Sequence, residues 1–174
     1  MRIVFDLKKE ILKAAFICPD RVDLTYMIDT AADTPVWCKG RDEFLDIFSD
    51  AEKLESKFVL SGFGKEPEMV DVYRIPDFRL SDGKEAVTYK NLVLAVTDRP
   101  QMNVDLILLS SLFDHMRIEI DRMTSVVFPR ITIESQTDVY PVFFRQIKIS
   151  EEQKKMLGID TDVIIKDVYS EDDK

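Results

Sequence analysis

The sequence predicts an all-β, barrel-like domain, and three observations carry that reading. Short apolar runs recur along the chain, broken by turn-forming clusters such as Pro19-Asp20, Ser81-Asp82-Gly83-Lys84 and Asp98-Arg99-Pro100. Several runs alternate, as where Ile118 and Ile120 are interleaved with Glu119 and Asp121, the pattern of a strand with one buried and one wet face. Helical spacing is confined to a few short stretches, and no internal repeat is visible.

The elements follow in order. Ile3 to Leu7 is a short, partly alternating strand. Ile11 to Cys18 is apolar enough for a strand or a helix, and Pro19-Asp20 ends it with turn chemistry. Arg21 to Ile28 reads as a strand. Pro35-Val36-Trp37 continues extended, because Pro35 has no N–H to donate. Gly40 to Asp50 is expected to be helical, with Phe44, Leu45 and Phe48 on one face packed against the sheet. Lys57 to Leu60 and Met69 to Ile75 form the arms of a hairpin around Gly62-Phe63-Gly64. Two of only five glycines sit in that tip.

Pro76 to Leu80 and Val87 to Tyr89 bracket the next turn, and Asn91 to Val96 is a buried strand. Val104 to Leu109 is the most apolar run, and Ser110 caps a short helix through His115. Arg117 to Asp121 and Ser125 to Phe128 are read as a hairpin around Arg122-Met123-Thr124. Val139 to Phe144 is a further apolar stretch. Ser150 to Leu157 is a helix with a capping box from Ser150 to Gln153, stopped by Gly158. Asp162 to Asp167 is a last short strand, and Ser170 to Lys174 an acidic, frayed end.

Composition narrows the function. The 174 residues suit one domain with an appendage. With 24 basic against 33 acidic residues the formal charge is −9, which argues against nucleic acid or an anionic membrane as partner. Charge interrupts the first apolar run after Phe5, so no secretory leader is expected, and no stretch is long enough to span a bilayer. Two cysteines, Cys18 and Cys38, are too few for a disulfide framework. Reduced thiols and a cytoplasmic location are expected. One histidine, His115, and no clustered ligand spacing leave no basis for a metal or other cofactor. Ser110-Ser111 lacks the glycines of a nucleophile elbow.

The informative stretch is Tyr26-Met27-Ile28-Asp29-Thr30-Ala31-Ala32-Asp33-Thr34. A buried strand delivers a carboxylate at its end, where charge is expensive unless it is paired, hydrogen-bonded or used. Small residues follow at once. This stretch resembles the Asp-Thr-Gly-Ala-Asp loop of the retropepsin-like aspartic peptidases, with Ala31 where that family has glycine. Phe58 to Gly64 resembles the flap that closes over substrate. Val104 to Leu109 with Ser110 to Phe113 resembles the hydrophobic strand and short helix that end the family core. Leu109 or Ser110 stands where the retroviral enzymes usually have glycine. The resemblance covers roughly residues 1–133 and is closest to single-domain bacterial members.

The resemblance implies a closed acid-protease barrel over residues 1–133, with residues 134–174 as a C-terminal extension available as a dimer contact. It implies a homodimer in which Asp29 of each chain meets its copy at a two-fold axis. Thr30 would lock the two loops together. Ala31, Ala32 and Asp33 would line the substrate groove, and Gly62, Phe63 and Gly64 would form the flap tip over an extended peptide. Ala31 supports an alternative: a peptide-binding or structural dimer with weak catalysis or none, because a methyl beside Asp29 strains the loop or narrows the groove. A plain β protein carrying the short motif by chance is the third reading.

Overall fold

The computed structural model describes residues 2–8, 11–14, 24–29, 32, 34–62, 65–98, 104–114, 116–121, 130–136, 139–158, 160 and 163–170. Twelve strands join in one sheet: β1 (Arg2–Lys8), β2 (Ile11–Ala14), β3 (Leu24–Asp29), β4 (Val36–Trp37), β5 (Glu52–Gly62), β6 (Lys65–Ser81), β7 (Ala86–Val96), β8 (Leu106–Leu109), β9 (Arg117–Asp121), β10 (Arg130–Glu134), β11 (Val139–Lys148) and β12 (Val163–Ser170). Helices α1 (Arg41–Ile47) and α2 (Glu151–Leu157) and a 3-10 helix over Ser110–Phe113 complete the described elements. No helix among the described residues is long and apolar enough to cross a membrane.

The all-β class holds, but the sheet as a whole is not a closed barrel. Its order is β11-β12-β5-β6-β7-β4-β8-β3-β2-β1-β10-β9. β11 also pairs with β7 through Val139 to Pro141, so five strands return on themselves while the rest run out to β9 as an open edge. The segment after residue 134 thus belongs to the same sheet. β11 pairs antiparallel with β12, and β12 meets β5 at Ile164 and Lys57.

The apolar patterning explains why the central strands are covered on both sides. Leu92 to Val96 is buried without a break, the signature of a strand with two dry faces. Leu92, Leu94 and Val96 join one core with Tyr26, Trp37, Phe44, Phe78, Tyr89, Leu106 and Leu108. Val93 and Ala95 point into a second core with Val36, Phe58, Leu60, Val70, Val72 and Ile107. Aromatic rings dominate the first. Phe44 lies 5.1 Å from Phe48 and 5.0 Å from Tyr73, and Trp37 meets both phenylalanines edge-on. Such rings add interaction beyond the area they bury.

Four expectations change here. Leu45 does not face the core; Ile47 does, beside Phe44 and Phe48. The spacing i, i+3, i+4 stays on one helical face, while i+1 turns about 100° away. Residues 69–75 and 76–80 form one strand, as do 87–89 and 91–96. The pairing runs on past Pro76, which lacks a donor, and Asn91, which takes φ 58; both strands continue through these positions. Ile118, expected on a buried face, is 38% exposed, because β9 is the edge of the sheet. The partner of β9 is Arg130 to Glu134, a strand the sequence did not announce. Ser125 to Phe128, residues 15–18, His115 and the acidic end beyond Ser170 lie outside the described residues.

Other expectations hold in detail. Ser150 Oγ accepts from the Gln153 N–H at 3.2 Å, and Gln153 Oε1 accepts from the Ser150 N–H at 2.9 Å. Gly158 closes α2 in the left-handed region at φ 65. The turn after β6 does more than reverse the chain. Asp82 Oδ1 accepts from the Lys84 and Glu85 N–H groups, and Asp82 Oδ2 accepts from the Val4 N–H of β1 at 3.2 Å. Glu85 accepts from the Arg2 N–H at 2.7 Å. The turn therefore holds the first strand to the hairpin. Burial would raise the Asp82 carboxyl, but these backbone donors outweigh it and leave it below its ordinary value.

A depressed carboxyl contributes stability that is complete above its ordinary value of 3.8 and is lost as pH falls through the folded value. Asp82→Asn should therefore lower the unfolding free energy by about 1–2 kcal/mol at neutral pH. The deficit should shrink below pH 3.8 in denaturant titrations. A constant offset at every pH would show that Asp82 acts through packing and not through its charge.

Candidate functional site: the Asp29 loop and its supports

β3 rises from buried Leu24 and Tyr26 to Asp29, which ends the strand half-buried. The chain then turns, with the Ala32 N–H reaching back toward the Asp29 carbonyl at 3.5 Å. It re-enters the sheet as β4 through buried Thr34 and Pro35. β8 lies between these two arms. It is parallel to β3, with Tyr26 paired to Leu106 and Asp29 to Leu109, and antiparallel to β4, with Val36 paired to Ile107 and Trp37 to Leu106. A strand inserted between the arms of the loop fixes where both arms can go, because each of its edges is hydrogen-bonded to one of them.

A single residue anchors the base of this arrangement. Asp105 Oδ2 accepts from the Thr25 N–H at 2.6 Å, the Asp105 N–H donates to the Thr25 carbonyl at 3.0 Å, and the Asp105 carbonyl accepts from the Cys38 N–H at 2.8 Å. Asp105 therefore ties β3 and the end of β4 together one position before β8 begins. Sequence reasoning missed it. The signal was present: a carboxylate at the mouth of the most apolar run raises the same question as Asp29 does.

The outer arm is fixed to β7. The Ala95 N–H donates to the Pro35 carbonyl at 2.9 Å, and the Thr97 N–H donates to the Trp37 carbonyl at 3.1 Å. Pro35 contributes only an acceptor, so its missing N–H leaves nothing unpaired. Trp37 Nε1 donates to the Gly40 carbonyl at 2.8 Å, and Gly40, at φ 96, opens the turn into α1 in a region that disfavours a side chain. Beyond Leu109 the 3-10 helix is held by the buried Tyr89 hydroxyl, which donates to the Leu112 carbonyl at 2.8 Å. Among the described residues, the buried Thr34 hydroxyl has no hydrogen-bond partner.

The structure brings together some of the sequence-selected residues. Asp29 and Ala32 share the loop, and Ala32 packs against both cores. Phe58 and Leu60, in the first arm of the flap-like hairpin, lie in the same core as Ala32, Met27 and Ile107. Gly62 ends β5 opposite Lys65. Thr30, Ala31, Asp33, Phe63 and Gly64 lie outside the described residues. The outer face of the hairpin is held by charge: Asp71 pairs with Lys53 and Lys57, and Arg74 with Glu52. Burial opposes ionisation of Asp71, but the hydrogen bonds from the two lysines outweigh it and lower its carboxyl. A small open cavity lined by Arg41, Glu68, Asp71 and Asp98 lies beside these pairs and does not include Asp29.

Cys38 is fully buried, and burial pushes its thiol up to about 12. Such a thiol is no nucleophile at neutral pH. Among the described residues no group of three or more histidine, cysteine, aspartate or glutamate side chains is placed to hold a metal.

No family model matches this chain, and no curated protein matches it. Among solved structures, the chain is similar to a retropepsin-like aspartic protease from Rickettsia conorii, at 12% identity and a TM-score of 0.46. The match covers 76% of this chain and 90% of that one. At that score the likeness is one of outline.

The anchoring role of Asp105 has a direct readout in its neighbour. In a Cys18→Ser background, native Cys38 should react with a thiol reagent at pH 8 at least about a hundredfold more slowly than a free cysteine. Asp105→Ala should lower the unfolding free energy by about 2–3 kcal/mol and speed that labelling, because it leaves the Thr25 N–H without its acceptor. Unchanged labelling would show that the backbone bonds of Asp105 hold the base alone.

Proposed function

We propose that this chain is an aspartic endopeptidase that works as a homodimer, hydrolysing peptide bonds with water activated by Asp29 and its symmetry copy. The observation that carries the reading is β8 inserted between β3 and β4, which presents Asp29 at the end of a supported strand beside Leu109. Chemistry of this kind needs two carboxylates at the reacting centre, and a two-fold copy of the same strand end supplies the second. As in aspartic proteases at large, two carboxylates at close range cannot both ionise, so the pair shares one proton. The ionised member takes a proton from water, and the protonated one hydrogen-bonds the scissile carbonyl. The titration belongs to the pair.

In this reading Thr30 locks the loops across the axis, and Ala31, Ala32 and Asp33 face substrate main chain. The hairpin of β5 and β6 is the flap, with Gly62, Phe63 and Gly64 at its tip. An extended peptide lies as an added strand between loop and flap. Residues 1–133 form the catalytic unit, and residues 134–174 buttress the hairpin base through β11 and β12. No cofactor takes part. The proposed compartment is the cytosol, in keeping with the free, buried thiol of Cys38.

A second reading has its own support. Ala31 puts a methyl where the resembling loops have none, which favours a dimer that binds peptides with little or no turnover. Peptide-library cleavage across pH separates the two. The wild-type chain should cleave best in mild acid, and Asp29→Asn should lower kcat/KM by about a thousandfold or more. Ala31→Gly should raise kcat. Cleavage that survives Asp29→Asn refutes the assignment. A folded wild-type dimer that is silent at every pH, but gains turnover in Ala31→Gly, establishes the binding reading.

A further inference from the structure

We propose that the C-terminal strand β12 is a strap that latches the β5–β6 hairpin at a hinge over residues 54–56. The inference rests on the reading of this hairpin as a flap and names what regulates it.

Three discontinuities fall at one level of the hairpin. The ladder between β5 and β6 breaks there: Lys53 faces Tyr73 and Lys57 faces Asp71, so residues 54–56 stand against Val72 alone. Extra residues in one strand interrupt its pairing and bend it. β7 stops supporting β6 at the same level. Their pairing begins with Asp71 against Val96, and among the described residues β6 has no β7 partner on the tip side of Asp71. The open cavity lined by Met69, Val70, Asp71, Val96 and Asp98 lies where the two strands part. On the base side, Tyr73 and Ile75 of β6 are buried in the aromatic core. On the tip side, Phe58, Leu60 and Val70 belong to the second core, with Met27 and Ala32. A few unpaired residues between two separately packed bodies are where a hinge absorbs its change of backbone angle. Swinging about residues 54–56 parts Phe58 and Leu60 from the core they share with the strand and loop of Asp29.

Two contacts hold that level shut. Asp71 reaches both sides of the break: Oδ2 accepts from Lys53 Nζ on the base side at 2.6 Å, and Oδ1 pairs with Lys57 Nζ on the tip side. The second contact is β12. It meets β5 at Ile164 and Lys57, and Lys57 is the first paired residue beyond the break. β12 lies between β11 and β5 in the sheet and runs beside the 3-10 helix Ser110–Phe113 that follows β8. Leu109 at the end of β8 is paired with Asp29, so β12 ties the moving side of the hinge to the candidate site. Its hold on β5 is a single register pair among the described residues, whereas its pairing with β11 runs from Val163 to Ser170. The strap therefore keeps its own hydrogen bonds when it lets go of β5, and release needs only local opening.

The test uses the full chain in a Cys18→Ser background and reads amide hydrogen exchange. Lys57→Cys with Ile164→Cys places a disulfide across the seam, because adjacent strands lie within disulfide reach. Oxidation should slow exchange at the tip-side amides, residues 57–60 and 68–70, at least about tenfold relative to the reduced form of the same protein. Amides of residues 73–75 on the base side should not change. Asp71→Asn should speed tip-side exchange about two- to fivefold and leave the base side alone. In the peptide-cleavage assay, oxidation should lower kcat/KM at least about tenfold and reduction should restore it. A cysteine pair that does not oxidise in the native protein, tip-side amides that ignore the cross-link or change together with the base, or turnover indifferent to the cross-link would overturn the proposal. Exchange that follows the latch in a chain without turnover removes the catalytic reading alone. Turnover that Asp29→Asn abolishes, in a chain whose exchange ignores the cross-link, removes this inference alone.

Discussion

The constraint on which the rest depends is the burial of β8 between the two arms that flank the Asp29 loop. Its apolar side chains serve two cores, Leu106 and Leu108 on one side and Ile107 on the other. Its backbone edges serve two strands of opposite direction. A strand in that position has no freedom to slide, since a one-residue slip would turn its two faces over and unpair both arms. Asp105 sets the register by binding Thr25 through side chain and main chain together. The geometry at Asp29 is thus fixed from below, by strands on either side of β8.

Around that centre the fold grades from rigid to accessible. The aromatic core of Trp37, Phe44, Phe48, Tyr73 and Phe78 ties α1, β4 and β6 together. The hairpin of β5 and β6 leaves this core, carried by apolar contacts at Phe58, Leu60, Val70 and Val72 and by ion pairs on its outer face. Exposed ion pairs contribute little stability, so the hairpin depends on its apolar base.

Local chemistry was readable where neighbours in sequence decide the outcome. The capping box of α2 and its Gly158 stop involve residues within one turn of the helix, and both form as the sequence indicates. The carboxylate at the end of an apolar run was readable at Asp29 because the run and the small residues after it are contiguous. The reading failed where the deciding contact is remote. Pro76 looked like a strand boundary, yet the pairing to β7 carries the chain through it. Leu45 looked like a core residue, yet the sheet meets the helix at Ile47. Asp105 was hidden inside an apolar run because its partner Thr25 is 80 residues away.

The sequence by itself determined the all-β class, the capped helix and the place of the candidate carboxylate. Each follows from periodicity, turn residues and the energy of burying charge over a short window of chain. Tertiary structure alone decided which strand runs between the arms of the loop, that β11 returns to β7, and that Ile118 stands at an open edge instead of in the core. Those outcomes depend on hydrogen bonds between segments far apart in sequence. Strands of similar apolar content can exchange places in a sheet without changing any local pattern, so only the assembled fold distinguishes a central strand from an edge.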